Sequence, residues 1–518
     1  MPGKTKVGVM CSLHGFPAFP PVGHISLCEV EGRVHSMHAE QADVLLFTNA
    51  VASHPRITIT RDLLHSSVCR EDSRRIFLPV SETLFKKLTN VWYEQGLVEA
   101  LHVTAEPQDG REVPVVLQVI AAYMLRVISG MNYIRNSFHP HLRESGDKLI
   151  AAVSQTRAWP ISPVRCLAWH PHCTKLAVAA WDDSVRVYSP GTSITPILKC
   201  KSQRAVSCMA WRPFSASQLA VGCEEGVFVW HVDPNSVVTR PSMSCATVLK
   251  RPHHSPVTSV TWNPQGDVLL TASAADTAMY VWDVAMEKFV TLRRVGGGGV
   301  SLVTWSPDGS KVFAATTGII FRVWGTSQWL PERWTVVSGH VQAACWSPCG
   351  SVLLFATSEE PLIYSLTFSK VDTAFQGDNT SKTALPIVDL TEVEVNEGER
   401  VGGVVVSLMW DTRGQHLAVM FKKTDLVAIF LTELHALLQV SPCCLVQGVS
   451  GEIPNCISFQ QNFGDGACLT IAWSSGRVQY FPLVHSDLKS ERNIFQETAI
   501  SPDCSLQNIS LASTFRTM

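Results

Sequence analysis

The stretch Val300-Ser-Leu-Val-Thr-Trp305-Ser-Pro307 decides the fold, because close variants of it recur through the second half of the chain. Each variant begins with valine, continues with apolar and small residues, and ends in tryptophan, at Trp169, Trp211, Trp262, Trp305, Trp346 and Trp410. The steps between these tryptophans are 42, 51, 43, 41 and 64 residues. A pitch of about 40–45 residues is typical of the blades of one kind of β-propeller. The repeat therefore predicts one blade for each tryptophan, which ends the inner strand.

A second aromatic residue follows each tryptophan 18 to 20 residues later and closes a short β-branched run, at Tyr188, Trp230, Trp282, Trp324, Tyr364 and Phe430. Between the two landmarks lie a turn such as Pro307-Asp308-Gly309, where glycine supplies a positive φ, and a second apolar run. Two landmarks that keep this register while the pitch varies indicate a three-strand meander joined by variable loops. Only Trp282-Asp283 retains the dipeptide that gives WD40 repeats their name.

A seventh, divergent unit completes the predicted ring. Phe459 stands where the tryptophan stood, and Tyr480 follows it 21 residues later. The sequence therefore predicts an all-β, seven-bladed WD40 propeller over residues 149–485, with an insertion at about residues 369–400 that supplies one outer strand. We expect residues 24–30 to form the closing strand of the last blade, because closure from both chain ends leaves no open edge.

An amino-terminal extension containing helices precedes the propeller. Residues 1–23 are rich in proline and glycine and are predicted to be extended, and residues 31–148 are predicted to be partly helical. Within them, Ser81–Gly96 has apolar residues at helical spacing, and Val113–Ile128 is a second predicted helix, ended by Gly130. We expect both helices to pack on the side of the propeller; the alternative is a small tethered helical domain. Residues 486–518 are predicted to form a carboxy-terminal tail.

Composition restricts the classes of partner. Charged residues make up 17% of the 518 residues, below the roughly 25% of average soluble domains, so partners are expected to cover part of the surface. The net charge of −2 and the absence of a basic run argue against nucleic-acid binding. Sixteen cysteines without a Cys-x-x-Cys pair indicate reduced residues of an intracellular protein. The longest apolar run, Val113–Ile128, is interrupted by polar residues and is too short to span a bilayer.

Four groups of residues could carry chemistry, and a structural role is the better interpretation of each: Gly296–Gly299, His170 with His172, His340 with Cys345 and Cys349, and Asp182 with Asp183. The glycine run lacks the Gly-Lys-Ser/Thr of a phosphate loop. His170 and His172 lack a second ligand pair at matching spacing. Cys345 is predicted to face the core and Cys349 to lie in a turn. Aspartates are common in turns between strands. We therefore predict a non-enzyme with no cofactor, no metal site and no small-molecule substrate.

Several segments resemble the aladin family of WD-repeat nucleoporins, in order from residue 10 to about residue 485. The most specific are Met10-Cys-Ser-Leu13, Asp182-Asp-Ser-Val-Arg-Val-Tyr188 and Glu360-Pro-Leu-Ile-Tyr-Ser-Leu366. Residues 1–9, residues 31–75 and the short tail after Tyr480 depart from the family pattern. The resemblance implies a scaffold subunit of the nuclear pore complex that supports protein import. It also implies anchoring at the nuclear envelope by a transmembrane nucleoporin of the pore ring, contact with other nucleoporins, and a presence in the cytoplasm and at mitotic spindle poles, with a role in spindle assembly.

Two other classes of function remain open from the residues alone. A WD40 substrate adaptor of a ubiquitin ligase or signalling complex would line its central face with arginines that bind an acidic peptide. An enzyme is the third class. For a partner-binding role, the residues that the sequence favours are Phe85 and Trp92 on the predicted helices, because exposed apolar patches mark interaction sites. Packing of these two side chains against the ring is an equally good interpretation.

Overall fold

A computed structural model of the chain describes three segments and a few single positions. The segments are residues 10–39 without 18, 19, 22, 31 and 32; residues 114–138; and residues 146–484 without 193, 234–237, 294–297, 369–382, 397–398 and 435–437. The single positions are 54, 55, 57, 59, 86, 89, 101, 104 and 105.

In the amino-terminal part, the three described segments contain three strands, a 3-10 turn and two helices. The strands are β1 (Cys11–Ser12), β2 (His24–Val30) and β3 (Arg33–His38), and the 3-10 turn covers Leu13–Gly15. The helices are α1 (Val115–Phe138) and α2 (Gly146–Val153).

Seven sheets follow, and in each the strands from residue 164 onward are antiparallel and lie in sequence order from the inner strand outward. Blade 1 contains β4 (Val164–Trp169), β5 (Leu176–Ala180), β6 (Val185–Tyr188) and β7 (Ile197–Leu198). Blade 2 contains β8 (Cys208–Trp211), β9 (Gln218–Cys223), β10 (Gly226–His231) and β11 (Ala246–Leu249). Blade 3 contains β12 (Val257–Trp262), β13 (Leu269–Ser273), β14 (Met279–Asp283) and β15 (Lys288–Leu292). Blade 4 contains β16 (Val300–Trp305), β17 (Lys311–Thr316), β18 (Ile320–Gly325) and β19 (Leu330–Thr335).

The remaining three blades complete the ring. Blade 5 contains β20 (Val341–Trp346), β21 (Val352–Thr357), β22 (Leu362–Thr367) and β23 (Leu385–Asp389), and is followed by the hairpin β24 (Val393–Asn396) and β25 (Glu399–Val401). Blade 6 contains β26 (Val405–Trp410), β27 (His416–Phe421), β28 (Val427–Leu434) and β29 (Leu438–Val446). Blade 7 contains β30 (Pro454–Gln460), β31 (Gly466–Trp473) and β32 (Val478–Val484). Inner strands of successive blades are neighbours, and β30 lies beside β4, so the predicted seven-bladed propeller is confirmed.

The core lies between the blades. Second strands such as β5 are buried along their whole length, because both of their faces meet a neighbouring blade. Blades 4 and 5, for example, are joined by the rings of Phe321 and Phe355, whose centroids are 5.1 Å apart. The turn after the inner strand carries a glycine with positive φ, 74° at Gly309 and 73° at Gly350, as the Pro-x-Gly pattern predicts.

Residues 10–38, which we call the amino-terminal strap, run along the outside of blades 5, 6 and 7. Strand β1 pairs in parallel with β23 of blade 5. Leu13 is buried in the core between blades 5 and 6, and the ring of Phe16 lies 5.0 Å from that of Phe430 in blade 6. Strand β2 then pairs in parallel with β32, and β3 forms a fifth strand beyond it.

The amino-terminal region differs from the sequence prediction in three places. Residues 1–23, predicted to be extended, contain the 3-10 turn Leu13–Gly15. Residues 31–148, predicted to be partly helical, also contain strand β3. Helix α1 continues past Gly130, because the apolar spacing resumes at Met131 and Ile134 and one glycine inside a helix costs only about 1 kcal/mol.

Two other predicted segments fall largely outside the described residues. Of the helix predicted over Ser81–Gly96, only Lys86 and Thr89 are described, and both are helical. The predicted tail, residues 486–518, lies outside entirely.

Candidate interaction surfaces

The repeated aromatic residues stand where the inner strands end and join adjacent blades. Trp169, Trp211, Trp262, Trp346, Trp410 and Phe459 are all buried. Three of the indoles donate a hydrogen bond to a carbonyl of the preceding blade: Trp211 to Ala168, Trp262 to Ala210 and Trp346 to Thr304, at 3.0, 3.2 and 3.4 Å. In each pair, the accepting carbonyl belongs to the residue directly before the inner-strand tryptophan of the preceding blade. These side chains therefore fasten one inner strand to the next.

Three members of the set depart from this pattern. The Trp169 indole donates to the hydroxyl of Thr470 in blade 7, and the Trp410 indole donates to Thr432 in its own blade, both at 2.9 Å. Trp305 is only partly buried, and its indole Nε1 has no hydrogen-bond partner among the described residues. Its ring packs instead against Trp329, with the centroids 5.9 Å apart.

Blade 3 contains a buried polar chain that the sequence analysis missed. The Trp282 indole donates to the Thr271 hydroxyl at 3.0 Å, His254 Nε2 lies 3.0 Å from the same hydroxyl, and His254 Nδ1 lies 3.1 Å from Asp276. Burial raises the pKa of Asp276, but the hydrogen bond from His254 and other hydrogen bonds outweigh it, so the pKa is lowered. The signal in the sequence that could have pointed to this chain is the Trp282-Asp283 dipeptide, which only blade 3 retains at the end of its third strand.

The histidines and aspartates considered for chemistry have structural partners. His170 Nδ1 accepts hydrogen bonds from the backbone N–H groups of His172 and Cys173, both at 3.0 Å, so this ring holds a turn together. Asp182 accepts from the Ser184 hydroxyl at 2.6 Å, and Asp183 pairs with Arg165, so both belong to the turn between β5 and β6.

The two cysteines that were considered together with His340 lie in different elements of the fold. Cys345 lies on inner strand β20, where burial raises the thiol pKa, while Cys349 lies in the next turn, 2.8 Å from the Ser351 hydroxyl. His340 Nε2 lies 3.0 Å from Gln342 Oε1. Within the described residues, no three histidine, cysteine or acidic side chains are grouped so that they could hold a metal ion.

Only part of the glycine run is described, since residues 294–297 are left out. Gly298 and Gly299 immediately precede inner strand β16. A Cβ at Gly299 would lie 1.7 Å from the Ala274 carbonyl oxygen, so this glycine is required by close backbone approach.

The seven inner strands surround a central cavity of about 400 Å³. Four cysteines contribute to its wall: Cys166, Cys208, Cys345 and Cys456. Burial raises the pKa of Cys208 and Cys456 to about 12, and it raises those of the other two as well. Because the thiolate is the nucleophile, raised pKa values of this kind disfavour a nucleophilic role for these thiols.

Residues 146–163, which we call the plug, cover the mouth of this cavity at which the inner strands begin. Ile150 of α2 and Trp159 are each 1% exposed. The Trp159 indole donates to the Val206 carbonyl of blade 2 at 3.1 Å, and the Ser154 carbonyl accepts from Gln342 of blade 5 at 2.8 Å.

Arg157 extends the attachment of the plug to blades 6 and 7. Its backbone N–H donates to the Asn455 carbonyl at 2.8 Å, and its guanidinium donates to the Thr424 carbonyl at 2.5 Å. Gln342 and Asn455 occupy β-bulges that recur near the start of six inner strands. Since bulges redirect side chains and leave backbone groups unpaired, these positions are available to hold the plug.

Helix α1 exposes an apolar face. Its exposed large side chains are Val116, Leu117, Val119, Ile120, Tyr123, Met124, Val127 and Met131, between 41% and 69% accessible. At 3.6 residues per turn they fall within an arc of about 160°, and they extend over about 22 Å. Ala121, on the opposite side, is buried. The helix contains no acidic residue, and its two charged residues are Arg126 and Arg135.

Phe85 and Trp92, which the sequence favoured for partner binding, lie outside the described residues. Among the described residues, α1 is instead the helix that presents apolar side chains to solvent. None of the described helices, α1 included, combines the length and hydropathy required to cross a bilayer.

Comparison with protein families identifies one match. Residues 145–484, about two thirds of the 518 residues, match the family described as the aladin seven-bladed propeller. The match includes the plug and ends at the last residue of β32.

Individual proteins give matches of different extent. The chain is 28% identical to aladin of Arabidopsis thaliana over 349 residues, which is 61% of this chain and 75% of the relative. It is 32% identical over 138 residues to cilia- and flagella-associated protein 44 of Mus musculus, covering 24% of this chain and only 7% of that protein. Among solved structures, a chain of a mitotic checkpoint complex is 17% identical with a TM-score of 0.47, covering 63% of this chain and 89% of that one.

Proposed function

Since the chain belongs to the aladin seven-bladed propeller family, we propose that it acts as a non-catalytic scaffold subunit of the nuclear pore complex. In this role it supports the import of proteins into the nucleus, in contact with other nucleoporins. During mitosis, when the envelope disassembles, the released protein acts at the spindle poles and contributes to spindle assembly.

The observation that carries this proposal is the apolar face of α1. Eight large apolar side chains on one side of a helix form a patch of the kind that marks protein–protein or membrane contact. The buried thiols and the fully engaged histidines and aspartates described above favour a binding role over catalysis.

The partner that we propose for the α1 face is the transmembrane nucleoporin of the pore ring. A protein held at a membrane through a partner needs a docking surface for that partner. The α1 face has the apolar character that suits a binding site next to a membrane, and the exposed Arg126 with no acidic residue in the helix suits an anionic one.

The competing adaptor function is disfavoured by the plug. An adaptor that binds acidic peptides at the centre of a propeller face needs that centre to be open. Here the chain's own α2 and Trp159 cover one mouth, and Arg157 and Arg165 near it are paired with Asp425 and Asp183.

The proposal is tested by following the full-length protein in cells. The double variant Ile120→Asp/Val127→Asp places two charges on the α1 face, and we expect it to lose nuclear-rim localisation while keeping the melting temperature of the wild type. Val337→Asp is the matched control, because Val337 is 92% exposed but lies on a propeller loop. Rim localisation of the double variant equal to that of the control would reject α1 as the docking surface.

A second arm tests the partner. Depletion of the transmembrane ring nucleoporin should release the wild-type protein into the cytoplasm in a folded state. Rim staining that persists after this depletion would reject recruitment by that nucleoporin.

A further inference from the structure

The junction between blades 1 and 7, where the ring closes, contains a group of buried polar side chains. Arg186 and Tyr188 are two residues apart on β6, so they project from the same face of the strand. Tyr188 packs in the core shared with Cys456 and Ala472 of blade 7, and Tyr480 of β32 lies against the same core. This face of β6 is therefore directed at blade 7.

Arg186 is buried, and no carboxylate among the described residues forms an ion pair with it. It is 2% exposed, and none of the described residues forms a hydrogen bond with its Nη1. Arg157, Arg165 and Arg477 are more accessible, yet each forms an ion pair with a carboxylate: Asp425, Asp183 and Glu452. A guanidinium removed from water without a counter-charge costs several kcal/mol, which proteins normally avoid.

Two phenols at the same junction also lack a hydrogen-bond partner within the described part of the chain: Tyr188 lies near Arg186, and Tyr480 lies near Tyr188. The hydroxyls of Tyr188 and Tyr480 are buried and without a hydrogen-bond partner among the described residues. Burial raises the pKa of both tyrosines, so each keeps its proton and offers an O–H donor. The ring of His54 stands edge-on to that of Tyr480, with the centroids 5.8 Å apart.

The chemistry of the group is that of an anion receptor. A guanidinium presents a planar set of N–H donors that matches carboxylate and phosphate, and the phenols add two O–H donors. Hydrogen bonds to a charged partner are roughly twice as strong as neutral ones, so an oxyanion would satisfy all three groups together.

We propose that Arg186, Tyr188 and Tyr480 form a binding site for a small oxyanion at the junction of blades 1 and 7. The anion joins the first blade to the last and strengthens ring closure. This site is separate from the α1 face, so a negative result for the anion site would not affect the proposed docking function, and the reverse also holds.

The experiment measures the melting temperature of the full-length protein against increasing concentrations of inorganic phosphate or acetate, with chloride keeping the ionic strength constant. A ligand that binds only the folded state stabilises it in proportion to the logarithm of its concentration. We expect the melting temperature to rise by about 2 °C for each tenfold increase above Kd. A response to phosphate alone identifies a phosphate site, and a response to acetate identifies a carboxylate site.

Three variants assign the response. Arg186→Met should abolish it, and Tyr188→Phe, which removes one hydroxyl and keeps the ring, should weaken the apparent affinity about tenfold. Arg477→Met is the control: it breaks the pair with Glu452 and lowers the melting temperature, but the response to anion should not change. A wild-type protein that responds to neither anion, or Arg186→Met and Tyr188→Phe variants that both respond like the wild type, would overturn the proposal.

Discussion

Replacing Trp211 and Trp305 separately by phenylalanine isolates the contribution of the hydrogen bonds between blades. Both are inner-strand tryptophans at the same position of their repeats. The Trp211 indole donates to the Ala168 carbonyl of blade 1 at 3.0 Å, while Trp305 Nε1 has no described partner. Phenylalanine keeps an aromatic ring in both places and removes the N–H group.

The magnitudes follow from this difference. Loss of part of the indole ring costs about 1 kcal/mol of apolar burial at Trp211. The same loss costs less at Trp305, because that side chain is only partly buried. At Trp211 the substitution also leaves the Ala168 carbonyl without its partner, which costs about 1–3 kcal/mol. At Trp305 the change removes a polar group that lacks a partner, so this second cost is absent. We expect Trp211→Phe to be less stable than Trp305→Phe by about 1–3 kcal/mol.

Urea unfolding of both variants and the wild type, followed by intrinsic fluorescence and circular dichroism, gives the three free energies of unfolding. Trp211→Ala and Trp305→Ala provide a second comparison, since full truncation of a buried tryptophan costs about 3–5 kcal/mol and a partly exposed one less. Equal losses for the two phenylalanine variants would refute the role assigned to the indole N–H.

Three further predictions concern other parts of the fold. Deletion of residues 1–35 should lower the melting temperature of the whole ring because it removes β1 and β2, whereas deletion of residues 1–9 should leave it unchanged; equal values for the two deletions would contradict the role of the strap. Asp276→Asn should be less stable than the wild type near pH 6. This deficit should shrink as the pH falls below about 4, since a carboxylate with a lowered pKa stabilises the folded state only while ionised; denaturant unfolding at both pH values checks it. Trp159→Ala should cost about 3–5 kcal/mol and increase hydrogen exchange in the plug; unchanged exchange there would show that Trp159 does not hold the plug in place.

The blades were predictable because each repeat carries its own information. The spacing of Trp262 and Trp282, and the Pro-x-Gly turns, depend on contacts within about 40 residues, so a local pattern reveals them. The wrong helix end at Gly130 also has a local cause. A glycine is a weak signal for the end of a helix when residues at apolar helical spacing continue beyond it.

The elements that the sequence did not reveal depend on distant contacts. The parallel pairings of β1 with β23 and of β2 with β32 exist because blade edges far along the chain accept these strands, and β3 is added by pairing with β2. In the sequence, the plug resembles an ordinary amphipathic segment. Only the structure shows that Trp159, Arg157 and Ser154 form hydrogen bonds with four different blades. The anion-receptor group is similar: Tyr188 and Tyr480 are nearly 300 residues apart in sequence, and only ring closure brings them into one core.

The position of the strap has a consequence for synthesis. Glu29 pairs with Leu483, so a strand made at the start of translation has to wait for one made near the end. At about 5–20 residues per second, the ribosome needs roughly 20 to 90 seconds to produce the intervening chain. During that time β2 is an unpaired strand edge, which is a site for aggregation or for a chaperone. Any nascent chain that stops before blade 7 therefore leaves β2 without its partner as well as lacking its last strands, and truncated products should be degraded rather than retained as shorter scaffolds.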